Sequence, residues 1–230
     1  MSLDQLWPAA LAFAGGGYLL GSIPVAWLLT WFLSGRDLRT LGSGNVGVMN
    51  TALSVHRWAG LIVLLTEIAK GVIAVLVPWA LTREPVLIGL AALGAFVGTR
   101  WPVWLRFHGG RGNTCAAASI VLVAPLAVLI VAILWFGARR FGASNFVATR
   151  ILAAALPPAM FVATLSWWWL AVAIGYSLLF LTTHSPTTDD HMLLKQHFPS
   201  LWAFLIAPPR RHTAADRPSE RQPTTRGDPG

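Results

Sequence analysis

The segment "WAGLIVLLTEIAKGVIAVLVPWAL", residues 58–81, is an apolar run long enough to cross a membrane. A helix needs about 20 predominantly apolar residues to span the hydrocarbon core of a bilayer. Two charged residues, Glu67 and Lys70, interrupt this run three positions apart and lie on one face of the predicted helix. Ionisable groups inside a membrane helix are costly, so the pair indicates a functional site by default. A purely structural pair that locks two helices together is the alternative.

The composition of the whole chain agrees with this segment. Of 230 residues, 55% are hydrophobic and only 11% are charged. A water-soluble domain carries about 25% charged residues. The low charge content therefore excludes an ordinary soluble domain and predicts a polytopic membrane protein.

Further apolar runs lie on both sides of residues 58–81. They cover residues 6–33, 85–98, 114–137, 151–164 and 166–183. Several are short or contain breaks: Gly15–Gly17 and Pro24 interrupt the first run, and Pro125 lies in the middle of the run at 114–137. The pattern predicts an all-α integral membrane protein, a compact bundle of about seven transmembrane helices, several of them short or broken by proline.

The positions of the arginines predict the orientation of this bundle. Loops 34–57, 100–113 and 139–150 hold three arginines each, whereas the opposite side holds Arg83. Basic loops stay in the cytoplasm, so we expect the N-terminus outside and the C-terminus inside. Successive loops must lie on alternate sides of the membrane. The three basic loops can all be cytoplasmic only if Pro125 divides its run into two crossings, which favours seven spans over six.

The end of the chain has a different composition. Residues 208–230 contain five prolines and five arginines and no aliphatic side chain larger than alanine. Such a segment cannot bury enough apolar surface to fold. We therefore predict a membrane domain over residues 1–206 and a disordered basic cytoplasmic tail over residues 207–230.

The loop "GRDLRTLGSGNVGVMN", residues 35–50, is polar and rich in glycine although it lies between two spans. Glycine permits backbone conformations in which successive N–H groups point into one concavity, and such concavities bind anions. Arg36 and Arg39 add positive charge beside it. The loop predicts a phosphate site, with an ordinary turn as the alternative.

The loop "RFHGGRGNT", residues 106–114, has the same character. Its glycines at 109, 110 and 112 surround Arg111 and lead into an apolar helix. A glycine loop that opens a helix N-terminus is suited to bind phosphate. Since both loops are expected on the cytoplasmic face together with the charged pair, a soluble anion and a lipid anion can meet there.

These motifs, taken in order, resemble a known family. They are "GSIP" (21–24), "DLRTLGSGNVGVMN" (37–50), a helix with a carboxylate and "KG" (70–71), and "WPVWLRFHGGRG" (101–112). This order is similar to the bacterial PlsY family of integral membrane acyl-phosphate:glycerol-3-phosphate acyltransferases. The resemblance runs from about residue 19 to 114 and more weakly to His184. It implies a multi-pass enzyme of the bacterial inner membrane that acylates the 1-hydroxyl of glycerol 3-phosphate, an early step of phospholipid synthesis.

The resemblance also implies roles for particular residues. The expected catalytic residues are Ser22, Arg39, Asn45, Lys70, Arg111 and His184. The expected substrate- and phosphate-binding residues are Arg36, Gly42, Ser43, Gly44, Gly47, Asn50, Arg106, Gly109, Gly110, Gly112 and Thr114. The expected supporting residues are Asp37 and Glu67, the latter at a position where the family usually has Asp.

The sequence departs from the family pattern at several polar positions. Thr99 replaces a histidine, Met49 replaces a hydroxyl residue, and the last motif is reduced to His184 followed by "SPTTDD". The segment "RRFGASNFVATR" (139–150) has no convincing counterpart of the family's serine-rich stretch. An active divergent enzyme, a paralogue with another phosphorylated acceptor and an inactive membrane partner therefore remain open, as does a transporter of a phosphorylated metabolite.

The remaining expectations concern ligands. The six histidines are scattered without the spacing of metal ligands, so we expect no metal and no cofactor. The expected partners are acyl phosphate, glycerol 3-phosphate and membrane lipids, and not nucleic acid. The oligomeric state is left open.

Overall fold

The computed structural model describes residues 3–183 together with Leu194, Phe198 and Ala203. In this part of the chain every regular element is helical and no strand is present. The α-helices are α1 (Leu3–Ser22), α2 (Val25–Ser34), α3 (Val48–Ser54), α4 (Arg57–Leu81), α5 (Pro85–Arg100), α6 (Asn113–Val123), α7 (Pro125–Arg140), α8 (Asn145–Thr164) and α9 (Trp167–Thr183). Short 3₁₀ turns lie at Leu38–Thr40 and Val103–Leu105.

Several of these elements have the length and hydropathy of membrane spans. The long apolar segments are Asp4–Ser34, Arg57–Leu81, Pro85–Leu105 and Phe146–Thr164, and shorter apolar helices cover Asn113–Val123 and Trp167–Thr182. The all-α bundle predicted from the sequence, with several short or broken helices, is confirmed.

In the first apolar run and in the run at 114–137, the helix breaks occur at proline and not at glycine. Helix α1 continues through Gly15–Gly17 and stops at Ser22, and α2 begins after Pro24. Proline has no N–H group to donate and its ring clashes with the preceding turn, whereas glycine only weakens a helix. Pro125 likewise separates α6 from α7 and occupies the first position of α7, where proline is tolerated.

Helices α1 and α5 approach each other closely through glycine. A Cβ added at any of four positions would overlap the main chain of the partner helix: Gly17, Gly21, Gly94 and Gly98. Small residues allow membrane helices to approach in this way, because association in lipid depends on tight van der Waals packing. This contact holds the end of α1, and with it Ser22, against the end of α5.

A second core joins α5, α6 and α9. The ring of Phe96 lies 5.4 Å from that of Tyr176 and 5.1 Å from that of Phe180, centroid to centroid. The buried Tyr176 hydroxyl and Ser119 Oγ are 2.7 Å apart and share a hydrogen bond. Helices α7 and α8 pack against this core.

The break at Pro125 turns the chain back toward the face where α6 starts. Thr114 at the start of α6, Trp135 near the end of α7 and Thr149 near the start of α8 line one cavity. Loops 100–113 and 139–150 therefore lie at the same end of the bundle. This arrangement agrees with the predicted division of the run 114–137 into two passes.

Candidate active site

The loop between α2 and α3 is shaped from inside by Asn50. This side chain is fully buried, and its amide nitrogen donates to the carbonyl oxygens of Leu41 at 3.0 Å and Asn45 at 2.9 Å. Its amide oxygen accepts from the Ser43 backbone N–H at 3.2 Å. Asn50 thus contacts the loop's own backbone, which favours a role in holding the loop over direct contact with substrate.

Gly44 turns the chain within this loop. Its φ of +73° lies in the left-handed region, which glycine adopts without steric cost. Its N–H donates to the carbonyl of Leu41 at 2.9 Å, and the N–H of Gly47 donates to Asn45 O at 3.0 Å. These two amides therefore hold the turn itself, and a ligand would use other donors.

Asp37 and Arg39 form a clamp at the start of the loop. The carboxylate of Asp37 accepts from the Arg39 backbone N–H at 2.9 Å, from its guanidinium at 2.6 to 3.1 Å, and from Trp27 Nε1 at 3.0 Å. The hydrogen bonds from Arg39 lower the pKa of Asp37 below its usual value. The clamp fixes the direction of the Arg39 side chain at the protein surface.

The second glycine loop packs directly against the first. A Cβ at Gly110 would overlap the carbonyl of Val46. The N–H groups of Gly109 and Gly110 donate to the carbonyls of Arg100 and Thr99, each at 3.2 Å. These two glycines therefore allow a close approach of backbones, and their amides are not turned toward a ligand.

Gly112 begins α6 next to this contact. Its φ is +72°, and a Cβ there would overlap the ring of Phe96. The first N–H groups of any α-helix have no partner within the helix, and the helix dipole places partial positive charge at that end. The start of α6 at Asn113 is therefore the element of this loop best suited to face an anion.

A polar cavity of about 160 Å³ lies between the two loops, where they meet α4 and α5. It is lined by Asn45, Val46, Gly47, Val48, Met49, Glu67, Thr99, Arg111, Gly112, Asn113 and Thr114. We call it the polar cavity. It brings residues of both glycine loops and Glu67 of the charged pair to one place.

A larger apolar groove of about 530 Å³ continues from the polar cavity. The two share Met49, Arg111, Asn113 and Thr114, and the groove runs on between α6, α7, α8 and α9 along Ile120, Val131, Leu156 and Phe180, among others. A charged end and an apolar end are therefore joined at the start of α6.

Lys70 is held by protein acceptors. Its Nζ donates to Glu67 Oε1 at 2.6 Å, to the carbonyl of Ile23 at 2.6 Å and to the carbonyl of Gly21 at 3.3 Å. An ammonium group has three N–H donors, and these contacts engage all of them. The carbonyls belong to the break between α1 and α2, so Lys70 ties α4 to that break, and this geometry favours a positioning role over contact with substrate.

Two buried oxygen atoms near Lys70 have no hydrogen-bond partner among the described residues. They are Ser22 Oγ and Glu67 Oε2. Ser22, Glu67, Lys70, Thr99, Gly109 and Gly110 are among the residues that line a small inner cavity of about 10 Å³. Buried polar atoms are normally paired, so unpaired oxygens beside a cavity of this size indicate a place for about one water molecule or one hydroxyl group.

A basic cavity of about 370 Å³ adjoins the second glycine loop at Phe107, His108 and Gly109. Its lining includes Arg39, Gly44, Arg100, His108 and Gly109. The guanidinium of Arg100 lies over the ring of Trp101, 5.4 Å from its centroid. Arg100 and His108 were not among the predicted site residues.

The structure thus sorts the predicted residues into groups. Asn45, Gly47, Glu67, Arg111, Gly112 and Thr114 line the polar cavity; Ser22, Lys70, Gly109 and Gly110 line the inner cavity; Arg39 and Gly44 line the basic cavity. Arg36, Asp37, Gly42, Ser43, Asn50 and Arg106 are not among these lining residues. His184 and the tail at 207–230 lie outside the described residues.

Thr99 was predicted only as a departure from the family pattern and not as a site residue, yet it lines both the polar and inner cavities. Its hydroxyl donates to the carbonyl of Ala95 at 3.0 Å. Met49 and Asn113 also line the polar cavity. Over the described part of the chain, no cluster of three or more His, Cys, Asp or Glu residues is arranged to hold a metal ion.

Fold and site together define a class: a polytopic helical membrane protein in which a polar cavity lined by Arg111 and Glu67 opens into an apolar groove. Comparison with known proteins identifies the family. Residues 11–192 match the family model described as glycerol-3-phosphate acyltransferase. The chain belongs to this family of membrane acyltransferases, which confirms the predicted PlsY relationship.

Individual relatives support the assignment. Glycerol-3-phosphate acyltransferase 2 of Moorella thermoacetica is 42% identical over 154 residues, which cover 66% of this chain and 76% of the relative. Glycerol-3-phosphate acyltransferase of Neisseria meningitidis serogroup B is 36% identical over 170 residues, covering 71% and 84%.

Solved structures agree with the fold. The crystal structure of PlsY (YgiH), an integral membrane glycerol 3-phosphate acyltransferase, in its glycerol 3-phosphate form has a TM-score of 0.66 at 28% identity, covering 76% of this chain and 88% of that chain. The lysophosphatidic acid form has a TM-score of 0.67 at 24% identity and covers 85% and 98%, which supports the fold alone.

Proposed function

We propose that this protein transfers a fatty acyl group from acyl phosphate to the 1-hydroxyl of glycerol 3-phosphate, producing lysophosphatidic acid and inorganic phosphate. The observation that carries this proposal is the continuity of the polar cavity with the apolar groove through Arg111, Asn113 and Thr114. A donor with a phosphate head and a fatty chain matches that shape. The names of the relatives support glycerol 3-phosphate as the acceptor.

The donor phosphate is best accommodated at the start of α6. Arg111 lines both the polar cavity and the groove, and a guanidinium binds phosphate oxygens in bidentate fashion. The helix N-terminus at Asn113 adds N–H groups and a favourable dipole. The acyl chain then extends into the groove past Ile120 toward Leu156.

The acceptor phosphate fits the basic cavity. Arg39, Arg100 and His108 line it with Gly44 and Gly109, and Gly109 also lines the inner cavity beside Glu67. The two phosphates would thus lie in two separate cavities that adjoin the second glycine loop. This arrangement keeps the anions apart while the glycerol end of the acceptor points toward the acyl carbonyl.

The chemistry asks mainly for positioning and charge stabilisation, because acyl phosphate already contains a good leaving group. The acceptor oxygen attacks the acyl carbonyl carbon, the bond between that carbon and the phosphate oxygen breaks, and the hydroxyl proton leaves with the phosphate. Arg111 and the α6 N-terminus would stabilise the negative charge on the departing phosphate.

The location follows from the same proposal. We place the protein in the bacterial inner membrane with the basic loops, the polar and basic cavities and the C-terminus on the cytoplasmic side. A cysteine introduced at Gly35 or Ala143 would then react with an impermeant maleimide only from the cytoplasm, and one at Arg83 only from outside. Labelling of Gly35 and Arg83 variants from the same side would contradict this orientation.

The decisive experiment is a phosphate-release assay with the purified full chain in detergent. Acyl phosphate and glycerol 3-phosphate together should yield phosphate and lysophosphatidic acid, and either compound alone should not. No turnover would contradict the proposal and favour the inactive partner or the transporter, since neither catalyses acyl transfer. Formation of lysophosphatidic acid with acyl-coenzyme A but not with acyl phosphate would show that the assigned acyl donor is wrong.

A further inference from the structure

We propose that the ends of α7 and α8 that meet at loop 141–144 bind the headgroup of an anionic phospholipid, one of whose acyl chains lies against the mouth of the apolar groove. The headgroup is bound by Arg139 and Arg140 at the end of α7 and by Arg150 in the second turn of α8, which together we call the arginine cluster. None of the three lines the polar, inner or basic cavity. The site is therefore separate from the one assigned to acyl transfer, and the inference goes beyond the proposed function.

The packing of α7 against α8 brings the arginine cluster to one place. Trp135 lies one helical turn before Arg139, and Thr149 directly precedes Arg150. Trp135 and Thr149 both line the apolar groove, so the arginines of the two helices flank the same end of it. We call this end, lined by Trp135, Phe136 and Thr149, the mouth of the groove.

The arginine cluster has no counter-charge from the described residues. The sequence contains no Asp or Glu between Glu84 and Asp189. The ion pairs of the described part of the chain join other residues, Arg39 with Asp37 and Lys70 with Glu67. Positive charges held close together repel one another. A bound anion removes that repulsion, so the cluster favours an anionic ligand.

Two guanidinium groups of the cluster are oriented by aromatic rings. The guanidinium of Arg150 lies 3.5 Å from the ring centroid of Phe146, and that of Arg139 lies 6.0 Å from that of Trp135. Arg139 Nη1 also donates to the carbonyl of Ala143 at 2.8 Å. Stacking uses the face of a guanidinium and leaves its N–H edge for acceptors, and each guanidinium has five N–H donors. Both groups are thus held in place with donors to spare for a phosphate.

Exposed aromatic side chains beside the cluster favour a lipid over a soluble anion. Phe141, directly after Arg140, is 91% exposed, and Phe136 is 67% exposed although it also lines the groove. Aromatic rings beside cations are typical of the interface between membrane and water, and basic pockets between membrane helices bind anionic lipid headgroups. A free phosphate would contact only the arginines. A phospholipid also covers the rings with its acyl chains.

The first test is thermal unfolding of the purified full chain in dodecyl maltoside micelles, titrated with dioleoylphosphatidylglycerol. A ligand that binds only the folded state raises the melting temperature. We expect this anionic lipid to raise it in a saturable manner and dioleoylphosphatidylcholine, which has the same chains and no net charge, to leave it almost unchanged. Equal stabilisation by the two lipids would overturn the inference.

Substitutions then test whether the arginine cluster is the site. Each arginine near an anionic lipid contributes about fivefold to binding. The phosphatidylglycerol concentration that gives half of the shift should therefore rise about fivefold in Arg140→Gln and about 25-fold in Arg139→Gln/Arg150→Gln. Arg140 is exposed at the end of its helix, so its substitution keeps the test valid even if the double variant fails to fold.

Arg57→Gln is the matched control, because Arg57 belongs to another basic region, at the start of α4. Its half-shift concentration should equal that of the unaltered protein. Equal increases in Arg57→Gln and Arg140→Gln would mean that anionic lipid is attracted by all the basic loops alike, and would overturn a specific site.

Glycerophosphoglycerol, the phosphatidylglycerol headgroup without its chains, tests the lipid assignment. We expect no stabilisation at the concentration where the intact lipid saturates. Equal stabilisation by this soluble headgroup would show a site for a free phosphodiester and overturn the assigned lipid. Every one of these measurements is made without turnover, so failure of the lipid site and failure of the proposed acyl transfer are distinguished.

Discussion

Arg111 is the residue on which the two halves of the site depend. It lines the polar cavity and the apolar groove together, next to the N-terminus of α6. Arg57, at the start of α4, also lies on the basic side of the sequence but does not line either of them. Comparing substitutions at Arg111 and Arg57 therefore distinguishes a specific contact with substrate from a general effect of positive charge.

We expect Arg111→Ala to lower kcat/KM for acyl phosphate by about 100- to 1000-fold, the usual effect of removing one stabilising donor from an active site. Arg111→Lys should be less harmful, since it keeps the charge but loses the bidentate geometry. Phosphate release measures all variants, with Arg57→Ala as the control. Equal and small losses in Arg111→Ala and Arg57→Ala would contradict the assigned role.

At the scale of elements, the contact between α1 and α5 determines where the cavity-lining end of each helix lies. Gly94 on α5 faces the backbone of Ala14 on α1, whereas Gly16 on α1 has no neighbouring atom within 4 Å of a built Cβ. The two glycines are both in helices, so their helix propensities are similar and only the packing differs.

Gly94→Leu should therefore destabilise the protein strongly and Gly16→Leu should not. Inserting a side chain into a closed contact costs about 1–3 kcal/mol or more, while a leucine facing lipid removes a helix-weakening glycine. Thermal unfolding in detergent measures the difference. A melting temperature for Gly94→Leu equal to that of Gly16→Leu would mean that the helices do not touch there.

At the scale of the whole molecule, the groove is built by four consecutive helices, α6 to α9, together with Met49 of α3. Ala132 on α7 lines it, and Leu129, three residues earlier, is 57% exposed and faces away. Ala132 does not line the polar cavity, so a larger side chain at this position would narrow the groove and leave the polar cavity unchanged.

Ala132→Trp should lower activity with long-chain acyl phosphates while leaving short-chain donors almost unaffected, because the added ring occupies space that a long chain needs. Leu129→Trp serves as the control, and kcat/KM measured over a series of chain lengths gives the comparison. If both variants treat every chain length like the unaltered protein, the groove does not hold the acyl chain.

The sequence alone determined the membrane character, the helical fold, the break at Pro125 and the family, because these depend on local hydropathy, on the missing N–H of proline and on short motifs. It also indicated both glycine loops and the charged pair. Only the tertiary structure decided that the amides of Gly109 and Gly110 donate to carbonyls at the end of α5. It also decided that the Lys70 ammonium donates to the carbonyl of Ile23 and that one oxygen of Glu67 has no hydrogen-bond partner. These features arise from contacts between distant helices, and no local pattern of residues encodes which donors and acceptors remain unpaired after packing.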